Sequence, residues 1–349
     1  MAANPDAHRV CPLAGLSAEA VAVSDRGIPH RRPGASIRVV RPLPRASKGW
    51  PFALWQSHIS TPMGLVGDQQ IWFVTGKGGV GKSTVAAALA RAAASRSGDA
   101  LLVEFEGSRA AARALGDYGD GVRYLQIEYL DSLVDVMASI LGSRLLSRML
   151  INHRSVRRLV RAIPALRELA LLDRVRDVAA RRPGLRVVVD FPASGHSLDW
   201  LRVPVAAERF LRSGPAAELC HNLRREVLSP NRSAVVVVST VEPVVASETR
   251  QLCLRLIDEL RRAPDLLVAN RVPHCPTAQQ VARLRVAARQ DSAWAALQEV
   301  ALADRERAAE TERALASLRA IADAPLARVP EFYVDPSPHE VIPHLGAAL

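Results

Sequence analysis

Lysine is nearly absent from this chain. Of 46 basic residues only Lys48, Lys77 and Lys82 are lysine, and the other 43 are arginine. Two of those three lysines stand five residues apart in one glycine-rich stretch. An ammonium is a compact point charge and a guanidinium a broad fork, so a site that keeps lysine against this bias needs the smaller group. Aromatics are also scarce, at 4% of 349 residues. The core must therefore be built from Val, Leu and Ala, which favours parallel strands covered by Ala/Leu-rich helices. The four cysteines, Cys11, Cys220, Cys253 and Cys275, are widely separated. No CxxC occurs, so neither a zinc clasp nor a disulfide framework is expected. No apolar run approaches the roughly 20 residues of a membrane-spanning helix. The amino terminus lacks the basic-then-apolar order of a secretory leader, and a cytoplasmic location is expected.

What is abundant is positive charge, +11 net with a pI near 10.4. Nucleic acid or an anionic membrane would attract such a chain. Aromatics are not interleaved with the arginines, so no base-stacking platform is visible, and nucleic acid is the less favoured partner. Residues 1–66 are rich in Pro and Arg, hold no helical or strand period, and read as a disordered arm. An alternative is that translation begins at Met63, just ahead of the first strand.

From about residue 67 onward apolar runs alternate with helical spacing in the βαβ manner. Strands are expected at 71–75, 101–105, 186–190, 234–240, 266–270 and 327–330. Their continuous Val/Leu character indicates burial on both faces. The fold class is thus α/β, a mostly parallel sheet flanked by helices. An Ala-rich helix is expected over 83–96, closed by Gly98. Between the second and third strands lie about 80 residues of helical spacing, with amphipathic stretches at 130–150 and 159–180. A plain crossover needs only about 10–12 residues, so 107–185 is expected to be an inserted helical subdomain.

The glycine-rich stretch reads Gly76-Lys77-Gly78-Gly79-Val80-Gly81-Lys82-Ser83-Thr84. It satisfies G-x-x-x-x-G-K-[ST] between a strand and a helix, the context in which that pattern folds as a phosphate-binding loop. Glycines let backbone N–H groups turn in around an anion, and the helix that follows adds the positive end of its dipole. Lys82 is expected to neutralise β/γ-phosphate charge, and Ser83 to place its hydroxyl on Mg²⁺. The expected ligand is Mg²⁺ with ATP, and the expected activity is hydrolysis of the β–γ anhydride.

With Lys77 included, the loop resembles that of the deviant Walker A ATPases, K-G-G-x-G-K-[ST]. In that group the extra lysine reaches the phosphates of a partner subunit, so the resemblance implies an ATP-bridged dimer. The stretch from Asp190 through Phe191-Pro192-Ala193-Ser194-Gly195-His196-Ser197-Leu198 is similar to the switch segment of the ArsA family and of the ATPase that targets tail-anchored membrane proteins. The resemblance implies that Asp190 serves the metal through water and that Gly195 offers its N–H to the γ-phosphate. His196 is either part of that switch or a local hydrogen-bond partner. Glu242, in the nucleotide pocket, and Asn270, reading adenine, are implied by their places after the fourth and fifth strands.

Three departures qualify the resemblance. The second strand ends Glu104-Phe105-Glu106-Gly107-Ser108, where the family has Asp-Pro-Ala-His. Glu104 and Glu106 share one face of an ideal strand. Glu106 lies nearer the strand end and is taken as the water-orienting carboxylate, with Lys77, Lys82 and Asp190 as its catalytic companions. The cysteines are too scattered for arsenite, so an arsenite-pump subunit is not expected. Only one ATPase half is present, which requires a homodimer or a pairing with a paralogue. The resulting expectation is a nucleotide-gated dimer that binds and releases a client protein. The rival is a positioning ATPase of the ParA/MinD kind, acting on DNA or membrane, and a third reading is a low-turnover regulatory paralogue.

Overall fold

The computed structural model describes residues 68–345, apart from 117–120, 162, 193–196, 290–291, 322–323 and 333. The expected N-terminal arm, Met63 and the switch residues Gly195 and His196 therefore lie outside the described residues. In chain order the elements are β1 (Ile71–Gly76), α1 (Lys82–Ser97), β2 (Ala100–Phe105), α2 (Ala110–Leu115), β3 (Val122–Ile127), α3 (Tyr129–Leu141), α4 (Arg144–Asn152), α5 (Arg154–Arg161) and α6 (Pro164–Arg181). There follow β4 (Arg186–Asp190), α7 (Ser197–Phe210), α8 (Pro215–Glu226), β5 (Ser233–Thr240), α9 (Pro243–Leu260), β6 (Leu266–Val272), α10 (Ala278–Ala287), α11 (Ser292–Arg319), β7 (Leu326–Pro330) and α12 (Pro338–Leu345).

All seven strands pair in parallel, in the order β3-β2-β4-β1-β5-β6-β7. Each central strand sends alternate side chains to opposite faces. Ile71 and Phe73 of β1 join the layer containing α6, α7, α9 and α11, whereas Trp72 and Val74 join α1, α2 and α12. Val187 and Val189 of β4 divide from Val188 in the same way. Burial on both faces is why these strands read as unbroken apolar runs. Helix α1 packs through Ala86, Ala87, Ala90, Ala93 and Ala94, and its small side chains bring its backbone close to the sheet. It ends at Gly98, whose φ of 78° lets its N–H reach the Ala94 carbonyl.

The span 107–185 is not wholly helical. It contains β3, an edge strand that pairs with β2 in register from Ala100↔Val122 to Phe105↔Ile127. The sequence Val-Arg-Tyr-Leu-Gln-Ile carries no apolar run because the strand lies at the sheet edge and is only half-buried. The helical part proper is α3 to α6. The stretch 130–150 breaks in two at Gly142, which sits at φ 68° and caps α3, while Ser143 accepts the Leu146 N–H to begin α4.

The sheet order places β1 between β4 and β5, where the chain reverses its direction of travel across the sheet. β1 leads left to β2 and β3, and after β4 the chain passes to β5, β6 and β7 on the right. In an open parallel sheet, ligands bind beyond the carboxyl ends of the strands at such a reversal. The glycine-rich loop leaves the end of β1 at that point.

Candidate functional site

The loop from Gly76 to Ser83 joins the end of β1 to the start of α1, and positive backbone angles set its shape. Gly76 lies at φ 145° against the backbone of Val238 on β5, and a side chain there would collide with that carbonyl. Gly81 lies at φ 89° against the amide of Asn270. Glycine is required at both places by conformation and by space. Asn270, at the end of the run shared by β5 and β6, donates its side-chain N–H to the Val80 carbonyl at 2.8 Å. Its observed role is thus to brace the loop from beneath.

Lys82 opens α1 and is 4% exposed. Its ammonium donates to the Lys77 carbonyl at 2.8 Å. Burial lowers its pKa, opposed by the charge of Asp190. Ser83, the next residue, donates its hydroxyl to Asp190 Oδ2 at 2.6 Å. Asp190 ends β4 and is 5% exposed. Burial pushes its carboxyl up to about 7, with Glu104 adding to the rise and the Ser83 hydroxyl and Lys82 opposing it. Its second oxygen, Oδ1, finds no hydrogen-bond partner among the described residues.

A buried carboxylate oxygen without a partner is costly unless it serves a cation or a cation's water. A serine hydroxyl and a carboxylate at the lip of a phosphate loop are hard oxygen donors, and Mg²⁺ retains several waters in such settings. The residues present therefore fit Mg²⁺, which Ser83 would hold directly and Asp190 through water. No group of three or more His, Cys, Asp or Glu suited to a metal ion occurs among the described residues. The cysteines described, Cys220, Cys253 and Cys275, are free.

The two glutamates of β2 divide sharply. Glu104 is fully buried and caps α2, accepting from the Ala111 and Ala112 N–H groups at 3.0 and 2.9 Å and from the Ser108 hydroxyl at 2.9 Å. Glu106 lies just beyond the strand and faces α3 and α6. It accepts from Arg167 Nη2 at 2.6 Å and from the Tyr129 N–H at 3.2 Å. Periodicity alone left the pair undivided, and helix capping separates them.

Lys77 is half-exposed and forms an ion pair with Glu248 of α9 in its own chain. Gly78 and Gly79 are exposed, and Thr84 is half-buried in the first turn of α1. Glu242 precedes α9 as an exposed N-cap residue that makes no side-chain capping bond. Sequence reasoning missed Glu248 as the partner of Lys77, and Arg167 as the partner of Glu106. Each pair joins residues far apart in the chain, so neither leaves a local pattern.

Beneath the loop ends lies a cluster of four aromatic rings. Phe73 of β1 stacks on Phe191 at 5.2 Å, Phe191 lies 6.0 Å from Phe105, and Trp200 of α7 closes the cluster 4.6 Å from Phe105. Phe191 follows Asp190 directly, so the buried carboxylate is anchored by a ring that is 1% exposed.

Residues 71–273 match the CobQ/CobB/MinD/ParA nucleotide-binding domain. The chain belongs to this family. Its phosphate loop, parallel sheet and reversal point make it a P-loop ATPase domain of the ParA/MinD type. The chain is also 27% identical over 224 residues to ATPase BagA of Mycobacterium tuberculosis and to a putative ATPase of Mycobacterium bovis. The match covers 58% of this chain and 64% of each relative, just under two thirds of their length. No helix among the described residues is long and apolar enough to cross a membrane.

Proposed function

We infer that this chain is an ArsA-like, Mg²⁺-dependent ATPase that works as a nucleotide-clamped dimer and binds and releases a partner protein through α3 to α6. The observation that carries the reading is the Lys82–Ser83–Asp190 arrangement, with its buried, unpartnered carboxylate oxygen. The relatives' names, ATPase and putative ATPase, accord with its ATPase part alone.

Ser83 directly and Asp190 through water would hold Mg²⁺, which would supply positive charge to the β- and γ-phosphates of ATP when bound. Lys82 exchanges the Lys77 carbonyl for phosphate oxygens, a replacement that releases the loop from its own carbonyl. The loop N–H groups and the α1 dipole hold the triphosphate. Glu106, at the end of β2, orients the attacking water. That water bonds to the γ-phosphorus as the β–γ anhydride breaks, leaving ADP and phosphate. Glu242 and Asn270 line the adenine side, and Gly195 reads the γ-phosphate.

Lys77 supports the dimer. Its half-exposed ammonium is free to exchange Glu248 for a partner subunit's phosphate, and one chain supplies only half of such a site. The second subunit is another copy or a paralogue. The partner-binding reading rests on α3 and α4. Leu133 and Val136 lie in the core, whereas Ile140, Leu141, Leu145 and Met149 are exposed, the last two at 73% and 66%. An apolar ridge of this kind suits a partner's apolar helix.

The test compares Asp190→Asn, expected to retain nucleotide, with Lys82→Ala, expected to bind it poorly. Proteins captured from native lysate by each variant are identified by mass spectrometry, and the assembly state is followed by light scattering with and without Mg-ATP. Retention of one protein by Asp190→Asn alone, with ATP-dependent dimerisation lost in Lys77→Ala, supports the reading. Failure of ATP to change either assembly or capture sinks it. The exposed arginines of α4 and α5 and the MinD/ParA family match favour a second reading, a positioning ATPase. Steeply salt-dependent binding to random duplex DNA by the Asp190→Asn variant would carry that reading instead.

A further inference from the structure

We propose that Arg167 is a positioning residue that holds Glu106 away from the nucleotide until α6 moves, so that α3 and α6 restrain hydrolysis. This rests on the reading of Glu106 as the residue that orients the attacking water.

The geometry begins with the sheet order. β2 is separated from β1 by β4 alone, and parallel strands lie about 4.8 Å apart, so the end of β2 is roughly 10 Å from the phosphate loop. A glutamate there reaches the γ-phosphate side only if its carboxylate points along the strand ends. In this structure both oxygens are engaged by groups outside the phosphate loop. Oε1 accepts from Arg167 of α6, and Oε2 accepts from the first N–H of α3, that of Tyr129. The arginine is fixed in turn, because its guanidinium also lies over the Tyr129 ring, 5.8 Å from the centroid, and that ring is buried. One carboxylate thus ties the end of a catalytic strand to two separate helices of the α3–α6 region.

Glu128 stands just before α3, and burial, the Glu106 charge and a hydrogen bond between the two side chains hold its carboxyl above the usual range. That bond is a further tie between Glu106 and the start of α3. When α6 shifts, Glu106 loses its Arg167 contact and can turn back toward the strand ends. Glutamate, one methylene longer than aspartate, has the reach to alternate between the two positions. A shift of α6 caused by nucleotide, subunit contact or a bound partner therefore acts on hydrolysis through a single side chain.

The pair is exposed at both ends, with 46% of the Arg167 side chain and 31% of Glu106 accessible. Exposed pairs contribute modestly, so Arg167→Ala should raise kcat about two- to fivefold, with KM for Mg-ATP little changed. Arg167→Lys keeps a cation in place and should return kcat toward the unmodified value. The difference between Arg167→Ala and the unmodified chain should shrink at high salt, because screening weakens the same restraint. A merely structural arginine produces neither the gain, the rescue nor the salt effect.

The measurement is steady-state hydrolysis by the full chain at saturating Mg-ATP, alongside Glu106→Ala. If Glu106→Ala loses most turnover while Arg167→Ala is unchanged or slower, the restraint is overturned and the role of Glu106 stands. If Glu106→Ala hydrolyses normally, the water-orienting role fails and the restraint with it. Silence in every variant overturns the hydrolytic reading itself.

Discussion

The loop ends of the sheet and the α3–α4 region invert the usual rule of burial. Around the phosphate loop, charge is inside. Lys82, Glu104 and Asp190 are all buried, and each is tied to a backbone group or a hydroxyl. On α3 and α4, apolar groups are outside, with Leu145, Leu146, Met149 and Leu150 exposed while Ser147 faces inward. A buried charge raises the free energy of the empty site and is satisfied by a cation or an anion. An exposed leucine raises it by contact with water and is satisfied by another apolar surface. On the function proposed above, the two regions therefore suit different ligands, a metal nucleotide in one and a protein surface in the other. Glu106, at the end of β2, reaches the helical region by accepting from the Tyr129 N–H at the start of α3 and from Arg167 of α6.

The comparison makes opposite predictions for truncation. Phe191→Ala, in the stacked cluster beneath Asp190, should cost about 3–5 kcal/mol in chemical unfolding. Nucleotide affinity should fall with it, because the ring directly follows Asp190 and fixes its place beside Ser83. A loss below about 1 kcal/mol would mean that the cluster is not what anchors Asp190.

The next largest effect concerns Asp190 in the metal-free chain. Its folded pKa, about 7, lies above the ordinary aspartate value of 3.8. The folded state therefore holds a proton that the unfolded state loses between those two values. The contribution of this group to stability is full below about pH 4, falls as pH rises toward 7 and then levels, by no more than about 4 kcal/mol. Asp190→Asn should flatten this profile and raise the melting temperature at pH 8 in the presence of chelator. A melting temperature at pH 8 no higher than that of the unmodified chain would show that burial of this carboxylate carries no cost.

Glu104→Ala leaves the Ala111 N–H buried without an acceptor and should cost about 1–3 kcal/mol. It also removes one cause of the raised Asp190 pKa, so the midpoint of the pH profile should move down. A stability change with no such movement would break the electrostatic link between the two carboxylates. At the small end, Met149→Ser should change stability by less than about 0.5 kcal/mol, since little is buried there. Partner capture should nevertheless fall. Unchanged capture would remove the ridge from the proposed interface.

The sheet was legible because its strands are buried on both faces. Runs such as Val187-Val188-Val189 and Val235-Val236-Val237-Val238 have no other stable place in a chain with so few aromatics. The phosphate loop was legible because its chemistry is local, with glycines, lysine and serine lying within eight residues. β3 was not legible, because an edge strand needs no apolar run and its pairing partner lies twenty-two residues away. The division of 130–150 at Gly142 turned on a single residue within an otherwise continuous helical period.

By itself the sequence determined the parallel α/β class, the phosphate-binding loop and the placing of Lys82 and Ser83 on the first turn of a helix. Each follows from neighbours along the chain. Tertiary structure alone decided that Glu104 caps a helix while Glu106 reaches Arg167. It likewise decided that Asn270 braces the loop, that Lys77 meets Glu248, and which half of the α3–α4 apolar stripe is covered. Those outcomes depend on which distant groups share a few ångströms of space, and short-range periodicity carries no record of that.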